Sequence, residues 1–323
     1  MREVFAKVPV IAGKGLSCDN LLSMKSGIDF ERIISQSSSV PIDEVLNKIC
    51  VSPPYFSFTE IFNYQGMLIA QVEPEQEIDF ELELISSAEA SRHMAILGSC
   101  AIAMEENQKK YYLSSKAEFN SYYKKGDKYY LDIPLKKKFY IVSRKVSIDR
   151  SFAVSENFLF CNNKLIFSFR VTYQVMPYKL FERVFSSYKF STSLIEESPY
   201  GRIPKFEIKE VNSKYLLAEM PIVDKKFCAG HFNQYPMIPV GVSAYMVIDL
   251  IGELIKTIKI NQRNSFIIDQ AFMEVFLPIS TDAKVTVKVD FIKEIDEILY
   301  FKWIVFKDEL KFNEMKISFC KVN

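Results

Sequence analysis

The chain has 323 residues, 49% of them hydrophobic, and its 41 Lys and Arg nearly balance its 40 Asp and Glu, for a formal charge of +1. Such a composition excludes a disordered chain and suits two domains or one large one; it offers no bulk field to gather nucleic acid or anionic lipid. No apolar run reaches the roughly eighteen residues of a membrane span, the opening stretch lacks the apolar core of a signal peptide, and six scattered cysteines without a CxxC pair (Cys18, Cys50, Cys100, Cys161, Cys228, Cys320) read as reduced thiols of a cytoplasmic protein.

Residues 1–54 read as an N-terminal extension. Gly13, Gly15 and Gly27 punctuate it, a short helix is expected over 43–50 after Pro41, and Pro53-Pro54 marks a break. Strand-like runs follow at 67–72 and 78–85, separated by the turn Glu73-Pro74-Glu75. From 86 to 104 the period changes. Ser87 can cap a helix in which Ala90, Met94, Leu97 and Ala101 recur at helical spacing, and so few positions suit water that the helix should be buried. Strands are predicted again at 111–119, 128–134, 138–147, 150–161 and 164–176, with Asn162-Asn163 as a hairpin turn. Residues 177–198 read as a connector with some helical content, and 199–204 as a second break.

The order then repeats. Strands at 206–211 and 214–222 precede a second nearly all-apolar helix at 240–258, and strands at 263–277, 284–295, 297–307 and 309–321 close the chain. The predicted class is α+β. Two halves, 55–180 and 200–323, would each curl an antiparallel sheet around one buried helix. A generic α+β domain with an accidental repeat is the competing reading.

With two histidines in all, each is informative. His231 lies in the stretch from Phe227 to Val242, between a strand and the second buried helix. Gly230 allows a tight approach before it, and Pro236 and Pro239 stiffen the loop beyond. Val240 and Gly241 begin the helix, where unbonded N–H groups could take a polarised carbonyl oxygen. An imidazole there is placed to move a proton beside an activated thioester; a turn whose histidine merely packs or caps is the alternative. On the first helix, Glu89 and His93 are four apart and share a face, and Arg92 can pair with Glu89. Either these residues lie on a solvated first turn, or they form an active-site cluster. Neither histidine has the spacing of a metal site. Lys124-Lys125-Gly126 and Lys136-Lys137-Lys138 read as solvated turns, or as contacts for an acidic carrier protein or a CoA phosphate. There is no phosphate-binding glycine loop and no nucleophile elbow.

The motif Gly230-His231-Phe232, followed by Pro236, Pro239 and Val242 ahead of an apolar helix, resembles the signature loop of the hot-dog-fold 3-hydroxyacyl-ACP dehydratases of fatty acid synthesis. The arrangement covers about 205–320, and 55–175 looks like a second, diverged hot dog without the loop histidine. The resemblance implies a fused double hot dog, two antiparallel sheets each wrapping a long central helix. It implies dehydration of 3-hydroxyacyl thioesters on acyl carrier protein or CoA to trans-2-enoyl thioesters, with no cofactor. His231 would be the catalytic base, and Glu89 or charged His93 the acid supplied from the first half. Arg92, Gly230, Phe232, Val240, Gly241 and Tyr245 would contact substrate, with the acyl chain in an apolar tunnel between the helices. Tyr245 falls where that family carries an acidic residue, and Asp249 one turn further on. The alternatives are an acyl-thioester hydrolase or acyltransferase on the same fold, or a non-catalytic acyl-binding subunit. Nucleic acid and membrane partners are not expected, and a homodimer of double hot dogs is left open.

Overall fold

The computed structural model describes residues 27–78, 81, 85–122, 137–190, 198–232, 234–258 and 265–322. Gly13, Gly15, Cys18, the strand expected at 128–134, most of that at 78–85 and the lysines at 124, 125 and 136 lie outside these residues.

The chain begins with a short helix, α1 (Phe30–Ser35), capped by the Asp29 carboxylate, which accepts from the Arg32 amide at 3.1 Å. β1 (Ser38–Val40) and α2 (Ile42–Leu46) follow, then the hairpin β2 (Ile61–Tyr64) and β3 (Met67–Val72). The first long helix, α3 (Ser87–Ala103), leads to β4 (Lys110–Ser121), β5 (Phe139–Ile148), β6 (Phe152–Cys161) and β7 (Lys164–Pro177). A connector carrying α4 (Tyr178–Val184) reaches β8 (Glu207–Val211) and β9 (Tyr215–Glu219). The second long helix, α5 (Val240–Ile258), precedes β10 (Ser265–Val275), β11 (Thr286–Ile295), β12 (Ile298–Lys307) and β13 (Leu310–Val322).

Among the described residues thirteen strands join one sheet in the order β1-β2-β3-β5-β6-β7-β4-β10-β13-β12-β11-β9-β8, every neighbour antiparallel. Read inward from each end after β1, the two halves follow the same path: hairpin, long helix, one strand laid at the centre, then a three-strand meander that fills the gap. The expected pair of sheets is thus continuous, because the two central strands pair. β4 meets β10 from Lys116↔Glu274 to Asn120↔Gln270. Asn162 and Asn163 both have positive φ (44° and 69°), as the tight turn between β6 and β7 requires. Part of the expected extension belongs to the fold: β1 pairs with β2, and Val45 and Ile49 are fully buried in the main core.

α3 packs chiefly on β5 and β6 and also against α5. Where it crosses the sheet its residue is Gly98. A Cβ there would meet Ser155 Oγ, Asn157 Oδ1 (2.6 Å) and Tyr173 Oη (2.7 Å). Those three groups form a buried polar set. The Tyr173 hydroxyl donates to the Ala95 carbonyl at 2.7 Å, and the Asn157 amide donates to Ser155 Oγ at 3.0 Å and to the Phe169 carbonyl at 2.9 Å. A hydrogen-bonded platform therefore replaces apolar packing at one point under an otherwise greasy helix.

Candidate active site

The loop before α5 is shaped by its glycine. Gly230 has φ +77°, and a Cβ on it would collide with the Ser52 carbonyl oxygen and stand 2.7 Å from the Tyr55 amide. The segment 51–55 can therefore lie directly on the loop. The Ser52 amide donates to the Gly230 carbonyl at 2.8 Å, and Val51 bridges His231. Phe232 follows at φ 53°, with its ring stacked on the His231 imidazole at 4.0 Å. Tyr55 stands edge-on to that imidazole at 4.9 Å.

His231 Nδ1 lies 3.2 Å from the Met237 carbonyl oxygen. A carbonyl can only accept, so Nδ1 carries the proton and the lone pair sits on Nε2. Burial lowers the His231 pKa to about 4, although the Met237 carbonyl pulls the other way. The ring is neutral at physiological pH, with one nitrogen ready to take a proton.

His231, Phe232, Val240, Gly241 and Arg92 line one cavity of about 370 Å³, as does Tyr55. Its walls are largely apolar and extend between the two long helices to the β4–β10 seam, where Ala117, Phe119, Ala271 and Met273 face it. The helices touch at its head. A Cβ on Gly241 would lie 3.0 Å from Arg92 Cβ and 3.6 Å from the Ala88 carbonyl oxygen.

Glu89, Arg92 and His93 are 0%, 2% and 0% exposed, which overturns the solvated-turn reading. They form a cluster, but not the one expected. Glu89 accepts the backbone amides of Glu75 (2.7 Å) and Gln76 (3.1 Å). Burial pushes its pKa up, and the backbone amides together with the Arg92 charge 3.9 Å away hold it below the ordinary range and ionised. Arg92 Nη2 donates to Glu75 Oε1 and, at 3.0 Å, to His93 Nε2, so the His93 proton is on Nδ1, directed to Ser57 Oγ at 3.1 Å. Burial, then the Arg92 charge, lowers the His93 pKa. His93 is therefore neutral, not the charged acid expected. Neither Glu89 nor His93 lines the cavity; they stand behind Arg92 and hold it.

Glu75, Glu89 and His93 present ligand atoms within 4.8 Å of one another, a spacing a divalent cation could use. Arg92 Nη2 bonds two of them and stands 3.9 Å from Glu89 Oε1, so the guanidinium is the cation of this cluster. Two further expected substrate contacts lie off the cavity wall. Gly230 serves the backbone contact with 52–55, and Tyr245 donates to the Glu77 carbonyl at 2.8 Å. Asp249 pairs with Lys205 at 3.0 Å.

Sequence reasoning missed Tyr55, Tyr200, Glu75 and Ser57. The Arg92 guanidinium carbon lies 5.5 Å from the Tyr55 ring centre and 4.9 Å from that of Tyr200, so Tyr55 neighbours both that guanidinium and the His231 ring. Only an aromatic directly after Pro53-Pro54 hinted at this.

No family model matches the chain, and no curated protein does. Solved structures do share its arrangement. A tesB protein of Mycobacterium avium subspecies paratuberculosis is 8% identical and superposes with a TM-score of 0.52 over 88% of this chain and 100% of its own. A conserved protein of unknown function with hot dog fold from Alicyclobacillus acidocaldarius is also 8% identical, with a TM-score of 0.51 over 84% of this chain and 99% of its own. This chain has the hot-dog fold. In hot-dog terms α3 and α5 are the central helices, and the cavity lies between them. Identity so low speaks for the fold alone.

Proposed function

We propose that the chain is a double hot dog that processes an acyl thioester in the cavity between α3 and α5, with His231 as the base. The observation that carries this is the pinned imidazole: Nδ1 is held by the Met237 carbonyl, and the ring forms part of the wall of an apolar cavity at the start of α5. The Gly230-His231-Phe232 loop that resembles the dehydratases supports the same reading. For a 3-hydroxyacyl thioester, Nε2 takes the proton alpha to the carbonyl. That C–H electron pair forms the new double bond, and the C–O bond of the 3-hydroxyl breaks. The hydroxyl leaves as water with the proton that Nε2 has just received. One imidazole thus serves as base and acid in turn, and neither Glu89 nor His93 is needed as the acid. Val240 and Gly241, with no carbonyl one turn back to bond, offer N–H groups to the thioester oxygen as charge builds.

A second reading rests on one observation: among the described residues no carboxylate lines the cavity. The same Nε2 could take a proton from water and drive hydrolysis, releasing free acid and thiol. One assay separates the two. Dehydration or its reverse changes the absorbance of a trans-2-enoyl thioester without releasing thiol, whereas hydrolysis releases thiol. His231→Ala should lower the first activity by a factor of about 10²–10⁴ and leave the circular dichroism of the fold unchanged. A variant with undiminished turnover would remove the proposal.

A further inference from the structure

The two long helices carry four serines, and three are bonded. Ser87 Oγ donates to Glu81 Oε1 at 2.6 Å, Ser99 Oγ to the Ile96 carbonyl at 2.7 Å and Ser243 Oγ to the Val240 carbonyl at 2.9 Å. The last two bonds are the usual way a helix absorbs a hydroxyl. The fourth, Ser91, has no hydrogen-bonding partner for its Oγ among the described residues, and that oxygen is not sealed from the surface as Nε and Nη1 of Arg92 are.

The surface that Ser91 keeps is cavity surface. Fifteen of the seventeen residues of α3 are buried. The two that are not, Ser91 and Ala95, stand one turn apart and both line the cavity. With Ala88 and Arg92 they form one stripe on that wall, at the i, i+3, i+4, i+7 spacing of a single helix face. Ala88 and Arg92 are the residues that meet Gly241, so Ser91 stands where α3 meets the first turn of α5. The other polar side chains the helices bring to this wall are engaged. Ser87 and Ser243 are bonded, and the Arg92 guanidinium is turned to Glu75 and His93.

A 3-hydroxyacyl thioester brings three points to this end of the cavity: its α C–H, its carbonyl and its 3-hydroxyl. His231 Nε2 offers a lone pair and suits the first. The N–H groups opening α5 can only donate and suit the second. A hydroxyl both donates and accepts, as Ser91 Oγ does. We infer that Ser91 Oγ pairs with the 3-hydroxyl of the acyl ligand, so that the cavity selects 3-hydroxyacyl groups over unsubstituted ones. Without such a partner a hydroxyl carried into an apolar chamber gives up its water for nothing. This rests on the dehydration reading above and names the side chain that recognises the group to be eliminated.

The test uses binding of two ligands that do not turn over. They are the N-ethyl amides of decanoic acid and of 3-hydroxydecanoic acid, the latter as its better-bound enantiomer; an amide's α C–H is too weakly acidic to be lost. By calorimetric titration the wild type should bind the hydroxylated amide at least as tightly as the plain one. Ser91→Ala, a substitution that favours the helix, should weaken the hydroxylated amide about tenfold and leave the plain amide within about twofold. A wild type that favours the plain amide, a ratio unchanged by Ser91→Ala, or an equal weakening of both ligands would each overturn the inference. Enoyl thioester formation with an unchanged ratio would sink Ser91 and leave the proposed reaction standing. A ratio that falls in a protein releasing thiol and forming no enoyl product would do the reverse.

Discussion

His231 makes the site's pH behaviour explicit. Because burial lowers its pKa to about 4, the base form persists from neutral pH down to that value, and kcat/KM should lose its acid limb only near pH 4. Stability follows the same shift. Between pH 6.5 and about 4 the unfolded chain binds a proton at this position that the folded chain refuses, so stability falls as pH falls through that window. The ceiling is about 3 kcal/mol. His231→Gln should flatten that part of the curve in urea titrations taken at several pH values; an unchanged slope would refute the burial of a neutral imidazole. The loop itself was legible, because Gly230, His231 and two prolines are local signals. Its surroundings were not. Tyr55 reaches His231 from a segment about 175 residues away, and Glu75 reaches Arg92 from another turn, pairings that no local spacing encodes. That Glu89 and His93 lie off the cavity wall was hidden for the same reason: helical spacing placed them on one face and could not say that Arg92, not they, lines the cavity.

At the level of the helices, two glycines set the distance of approach. Gly98→Ala would drive a methyl into Ser155, Asn157 and Tyr173, three groups bound to one another and to the backbone, so relief is not cheap. A loss of roughly 1–3 kcal/mol is expected on unfolding in denaturant. Gly241→Ala meets Arg92 Cβ at 3.0 Å, a contact fixed to helix backbone, and should push α5 from α3. Its signature is a larger loss in acyl binding than in stability, since it moves the head of the cavity. Farther along, Ala271 faces the cavity from the seam strand. Ala271→Phe should fill that end and shorten the longest acyl chain accepted, leaving short thioesters unaffected in a chain-length series. The helices were readable from sequence almost to the residue, 86–104 against Ser87–Ala103 and 240–258 against Val240–Ile258, because apolar residues on every face leave only burial.

Across the molecule, the sheet does not stop between the halves. β4 and β10 pair over five residues, and α3 packs on α5, so the main core cluster takes residues from both halves. Heating should give one calorimetric transition with matching van't Hoff and calorimetric enthalpies; two separable transitions would mean the halves melt independently. The repeat was visible as a repeated order of strands and helix. The seam was not, since pairing between strands 150 residues apart leaves no periodic mark, nor was β1, whose three residues are too few to show alternation. The repetition is also unequal. His231 precedes α5, while the stretch ahead of α3 contains no histidine, and the chain's other imidazole is spent on holding Arg92. A calorimetric titration with an acyl ligand should therefore saturate at a stoichiometry of one per polypeptide, two architectural units making a single working chamber.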